Sequence, residues 1–122
     1  MIVGIGLDII EVERLKKSCE SKSFLNRIFT PAELDMFNKR SFSYEVVAGN
    51  FAAKEATMKA FSVGFSSGFY SEIEVLREKS GKPFINLYGN AKKKFDELGC
   101  NNIFISLTNI KNLACAQVIL EK

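Results

Sequence analysis

The apolar positions begin with one dense run. Residues 2–12, IVGIGLDIIEV, hold Ile and Val with two glycines and a single aspartate, which predicts a buried strand. The pattern then changes period: in EVERLKKSCE, Val12, Leu15 and Cys19 recur at helix spacing with charges between them. FTPAELDMF carries a helix start, with Thr30 at the N-cap, Pro31 at the first helical position and Glu33 placed for a capping box. A polar connection, NKRSFS, leads into a longer helix from about Tyr44 to Phe61, and SVGFSSG, with Gly64 and Gly68, is a loop. SEIEVLR and FINLY alternate like strands and flank the turn EKSGKP, so they pair as a hairpin. GNAKKKFDELG predicts a short helix closed by Gly99, and NIFISLTN and LACAQVILEK are two strands joined by NIKN. The class is α+β, a layer of helices packed on a mainly antiparallel sheet in one domain, 1–122, without internal repeat or linker.

Composition narrows the chemistry more than the fold. The 122 residues suffice for one core. No apolar run has the length of a membrane span, and no Lys or Arg precedes the first apolar segment as in a secretory signal, so the expected location is cytoplasmic. Cys19, Cys100 and Cys115 are odd in number and show no CxxC spacing, which predicts reduced thiols packed as small apolar groups. There is no histidine, which removes His–metal sites and His-activated nucleophiles. The remaining chemistry is that of carboxylates, amines, hydroxyls and a metal. A net charge of +3 suits an anionic partner but does not by itself indicate nucleic acid. A nucleic-acid binder would need clustered basic residues interleaved with exposed aromatics, and the Phe residues here fall at core positions.

Two stretches stand out against this background. In NFAAKEATMKAF, Glu55 and Lys59 are four residues apart and share a helix face, with Lys54 beside them, while Phe51, Met58 and Phe61 form the apolar side. Such a pair is by default a surface ion pair, but this helix has few other polar residues with which to cover a solvated face. Asp8 interrupts the first strand, where burial of an unpaired carboxylate is costly. It either ends the strand as a turn cap or ligates a hard cation. Magnesium is typically held by one or two carboxylates with waters and phosphate oxygens, so Asp8 and Glu55 would serve if the helix packs over the strand. Spacing alone leaves that meeting open.

The combination of GxD near the start with FAAKEATMKA about forty residues later, together with FLNRIFTPAEL, GKP at Gly81–Pro83 and ISLTN…ACAQVILE, runs nearly the length of the chain. On these motifs the sequence resembles the holo-acyl-carrier-protein synthase family, the small 4′-phosphopantetheinyl transferases. The resemblance implies transfer of 4′-phosphopantetheine from coenzyme A to a serine of apo-acyl carrier protein, releasing adenosine 3′,5′-bisphosphate, in fatty acid biosynthesis. It implies magnesium on Asp8 and Glu55, phosphate contacts from Lys59 and more weakly Lys54, and a homotrimer with sites between subunits. Gly64, Gly81, Lys82, Pro83, Ser106 and Asn109 would then line the coenzyme A site, the GKP turn reaching in from the adjacent chain. Arg14, Lys17 and Arg27 would face the acidic helix of the carrier protein. Displacement at phosphorus asks for positioning and charge neutralisation rather than a protein nucleophile, which fits this residue set. Under this resemblance the serine proton would go to a metal-bound water or to a carboxylate, and the sequence does not choose between them.

Two positions depart from the pattern of that family. Asn109 stands in SLTN where many members have histidine, and Asn50 stands before FAAKE where many have an arginine expected near nucleotide phosphate. Neither asparagine carries charge. A non-catalytic module that binds carrier protein or coenzyme A is therefore the alternative reading.

Overall fold

The chain is described by a computed structural model over residues 1–64 and 68–122; the loop read between Ser62 and Gly68 falls partly outside them. In order, the elements are β1 (Ile2–Glu11), α1 (Val12–Ser18), α2 (Lys22–Ile28), α3 (Pro31–Lys39), α4 (Tyr44–Ala60), a 3₁₀ turn (Tyr70–Glu72), β2 (Ile73–Arg77), β3 (Pro83–Leu87), α5 (Gly89–Glu97), β4 (Asn102–Asn109) and β5 (Leu113–Glu121). Strands β1, β5 and β4 form one antiparallel sheet in that order, and β2 and β3 form the expected hairpin as a separate sheet. The α+β class holds. The mainly antiparallel sheet divides into two.

Local chemistry explains most boundaries. Thr30 Oγ1 accepts from the Glu33 amide at 3.2 Å while Glu33 Oε1 accepts from the Thr30 amide at 3.1 Å, a complete capping box. Gly99, at φ +75°, closes α5, with the Cys100 amide reaching back to the Phe95 carbonyl. Helix α2 was not foreseen. Ser21 caps it by accepting from the Phe24 amide, and its seven residues are too few to show a clear period.

The first strand differs from its reading as a fully buried one. Its even face is small and lies under α4, which packs across both β1 and β5. A Cβ at Gly4 would come within 2.2 Å of the Ala60 carbonyl oxygen, and one at Gly6 within 1.7 Å of that of Ala56. Only glycine permits this approach. Ala52, Ala53, Ala56 and Ala60 answer it from the helix, all buried. The odd face, Ile5, Leu7 and Ile9, is about 60% exposed. The glycines thus draw β1 and α4 together, and the next even position on β1 is Asp8.

Candidate active site

Three sequence-predicted residues converge where β1 runs beneath α4. Asp8 is buried on the strand, and Glu55 and Lys59 sit one turn apart on the helix. Lys59 Nζ donates to Asp8 Oδ1 at 3.1 Å and to the Leu7 carbonyl at 2.9 Å. Its side chain is nevertheless 45% exposed, so the ammonium can still face solvent. Glu55 lies within hydrogen-bonding reach of Asp8, and burial, then the hydrogen bond and charge of Asp8, raise the Glu55 carboxyl to about 7. Asp8 Oδ2 is buried and has no donor among the described residues. A pair of facing carboxyls with one orphaned oxygen requires a shared proton or a cation.

That observation tests the donor set for a hard cation. Among the described residues no cluster holds three or more His, Cys, Asp or Glu side chains. Two oxygen donors and no softer ligand fit magnesium, which keeps waters and substrate oxygens in its shell. The orphaned Asp8 oxygen is the position such an ion would satisfy.

Sequence reasoning missed a further member. The Tyr70 hydroxyl donates to Glu55 Oε1 at 3.3 Å, and the Tyr70 ring stacks on Phe51 with centroids 5.5 Å apart. Burial, followed by the Glu55 charge, pushes the phenol up to about 12, so it remains a donor. A lone tyrosine in a loop gives no periodic signal. Beside Glu55 opens a groove of about 460 Å³, lined by Ile9, Leu15, Phe24 and Phe51, with Arg14 at its edge. Lys17 and Arg27, on α1 and α2, are exposed, and neither forms an ion pair among the described residues.

Lys54 is not at the site. It is fully buried, and its ammonium donates to Glu33 Oε1 at 2.6 Å, to the Tyr70 carbonyl at 2.7 Å and to the Ile73 carbonyl. An ammonium has three protons, and all are used, so the predicted phosphate contact is excluded. Burial raises Glu33 and lowers Lys54, and their mutual attraction opposes both shifts. Asn50 is buried in the same network, donating to Glu33 Oε2 at 2.9 Å and to the Val75 carbonyl at 2.8 Å. It lines neither the groove beside Glu55 nor the one at Gly81, Pro83 and Asn109.

Of the remaining predicted residues, three gather elsewhere. Gly81, Pro83 and Asn109 line a second groove, of about 220 Å³, with Gly49, Arg77 and Thr108. Asn109 Nδ2 donates to Glu45 Oε2 at 3.2 Å. Lys82 is exposed in the same turn as Gly81, Ser106 is exposed on β4, and Gly64 is exposed just past α4. Among the described residues the two grooves share no lining residue within one chain.

With this geometry the comparison with known proteins is specific. A profile of the 4′-phosphopantetheinyl transferase superfamily matches residues 4–118. The chain belongs to that superfamily. A holo-(acyl-carrier-protein) synthase of Clostridium botulinum strain Alaska E43 is 47% identical over 122 residues, covering 99% of this chain and 98% of the relative. The crystal structure of the synthase from Neisseria meningitidis superposes with a TM-score of 0.89 at 30% identity, covering 100% of both chains. That of the Bacillus anthracis synthase, in complex with CoA (3′,5′-ADP), gives a TM-score of 0.81 at 35% identity, over 99% of this chain and 97% of that one. The match to this transferase superfamily spans both grooves, β1 and α4.

Proposed function

We propose that this chain transfers 4′-phosphopantetheine from coenzyme A to a serine of apo-acyl carrier protein, in the service of fatty acid biosynthesis. The observation that carries the reading is the meeting of Asp8, Glu55 and Lys59, with an Asp8 oxygen left unpartnered, in a member of the transferase superfamily. Asp8 and Glu55 would hold magnesium, which when bound neutralises charge on the pyrophosphate of coenzyme A. Lys59, anchored on Asp8 yet half exposed, presents its ammonium to the phosphate oxygens. The serine oxygen attacks the pantetheine-side phosphorus, the bond from that phosphorus to the bridging oxygen breaks, and adenosine 3′,5′-bisphosphate leaves as the serine proton is released. The chain's part is to hold the two phosphates and the hydroxyl in line.

The surroundings support this arrangement. The larger groove abuts Glu55 and carries Arg14 on its edge, so a carrier-protein helix lying along α1 and α2 would meet Arg14, Lys17 and Arg27 and deliver its serine to the carboxylates. Gly81, Lys82, Pro83, Ser106 and Asn109, with Gly64, would hold the nucleotide end. Because the two grooves share none of the described residues in one chain, the complete site would form where the second groove of one subunit meets the carboxylates of another. The exposed Ile5, Leu7 and Ile9 on β1 and Phe104 on β4 supply an apolar face for such a homotrimer. Residues 1–122 act as one cytoplasmic domain in this reading, and no helix among the described residues is long and apolar enough to cross a membrane.

The test is intact-mass analysis of apo-acyl carrier protein incubated with the chain, coenzyme A and magnesium, with and without chelator. A gain of one phosphopantetheine group, lost with chelator, is expected. No gain with several carrier proteins would favour the binding-module alternative, which rests on Asn109 and Asn50.

A further inference from the structure

The residues around Tyr70 form a chain of contacts that ends on Glu55. Three of its neighbours, Phe51, Lys54 and Glu55, lie at i, i+3 and i+4 on α4, hence on one helix face. Each touches a different part of the tyrosine. The Phe51 ring stacks on its ring at an interplanar angle of 18°, the Lys54 ammonium takes its carbonyl at 2.7 Å, and Glu55 Oε1 accepts from its hydroxyl at 3.3 Å. Lys54 also binds the Ile73 carbonyl at the start of β2, so the turn that carries Tyr70 is fixed at both ends to α4. Lys54 is itself held by Glu33, the capping-box carboxylate of α3. A path of direct contacts therefore runs from the buried network through Tyr70 to the candidate cation ligand.

We infer that Tyr70 is a positioning residue for the Glu55 carboxylate, with Lys54 as its anchor. A glutamate on a helix has three side-chain torsions, and a ligand must arrive with its oxygen aimed. One oxygen of Glu55 is tied by the phenol, which leaves the other to act with Asp8. At 3.3 Å the tie is longer than a strong O–H···O bond, and drawing Glu55 onto a cation is expected to shorten it. Partners of this kind, which touch the ligand and not the ion, typically change cation affinity by about 10- to 100-fold. The inference rests on the reading of Asp8 and Glu55 as a cation site.

The decisive comparison is the wild-type chain with Tyr70→Phe, each saturated with coenzyme A and titrated with Mn²⁺ while free Mn²⁺ is followed by electron paramagnetic resonance. The phenyl ring keeps the stack on Phe51 and removes only the donor. Mn²⁺ affinity is expected to fall about tenfold, with the metal-free melting temperature within a degree or so of wild type. In transfer assays the Mg²⁺ concentration for half-maximal rate should rise in parallel, with the rate at saturating Mg²⁺ largely recovered. Equal Mn²⁺ affinity in the two proteins would overturn the role of Tyr70 alone. So would a loss of affinity matched by a fall in melting temperature, which marks a purely structural part. No Mn²⁺ binding by the wild-type chain would overturn it together with the cation reading.

Discussion

Helix α4 joins two acid–amine clusters through the adjacent residues Lys54 and Glu55, and they are built to opposite ends. Around Lys54 the charges are enclosed. Its three protons meet three acceptors, Glu33 also caps α3 and accepts from Asn50, and Glu74 accepts from Thr30 Oγ1 at 2.7 Å, with Asn86 and Tyr88 on its other oxygen. The amide oxygen of Asn50 is the one atom of this cluster left without a partner among the described residues. Burial alone would raise Glu74, but these hydrogen bonds outweigh it and hold the carboxyl below its ordinary value. Around Glu55 the balance is different. Two carboxyls face each other, one oxygen has no donor among the described residues, and the amine that serves them is half open to solvent. A cluster whose charged groups are all partnered fixes elements to each other; one with an unpartnered carboxylate oxygen at a groove is free to exchange partners. The same residue types therefore take different parts: at Lys54 every charge is met, and at Glu55, in the proposed reading, the Asp8 oxygen is left for a cation.

The largest expected effect breaks the exchangeable cluster. Asp8→Ala and Glu55→Ala should each lower transfer by about a thousandfold or more, roughly 4 kcal/mol of barrier, while the melting temperature holds. Near wild-type turnover in a folded double variant would remove the cation assignment. The next breaks the saturated cluster. Lys54→Met leaves Glu33 charged and buried without its partner and should cost about 3–5 kcal/mol of stability in urea unfolding. Adding Glu33→Gln in the same chain should recover part of that loss, because it removes the uncompensated charge; no recovery would mean that packing, not charge, is what Lys54 supplies.

Smaller effects sharpen the contrast. Lys59→Ala should reduce kcat/KM by about a hundredfold, measured at saturating magnesium, yet change stability by less than about 1 kcal/mol, since the lysine is half exposed and solvent can reach the pair from its side. A stability loss like that of Lys54→Met would erase the distinction between the two lysines. The smallest is a pH effect on the metal-free chain. Glu55 titrates at about 7 in the folded chain against an ordinary 4.5. Between those values the unfolded chain releases its proton first, so stability should fall as pH rises through that window and level off above it. Thermal melts in chelator should show this slope, and Glu55→Gln should flatten it.

Much of this molecule follows from the sequence alone, and for local reasons. Thr30, Pro31 and Glu33 start α3 through contacts within one turn, Gly99 ends α5 through its own backbone freedom, and EKSGKP turns the hairpin. Helix α2 escaped because one short element carries too few apolar positions to define a period. Asp8, Glu55 and Lys59 were legible as unusual because each is a charge in an apolar setting. Lys54 looked unusual for the same reason, and the sequence had no means of telling the two cases apart. That depends on which acceptors arrive from α3, the Tyr70 turn and β2, residues 16 to 25 positions away in the chain. The meeting of Asp8 with Glu55 was likewise decided by tertiary structure, through Gly4 and Gly6 letting the strand approach the backbone of α4. Identity of the chemical groups is written in the chain, whereas their hydrogen-bond saturation is a property of neighbours that only the folded state brings within 3 Å or so.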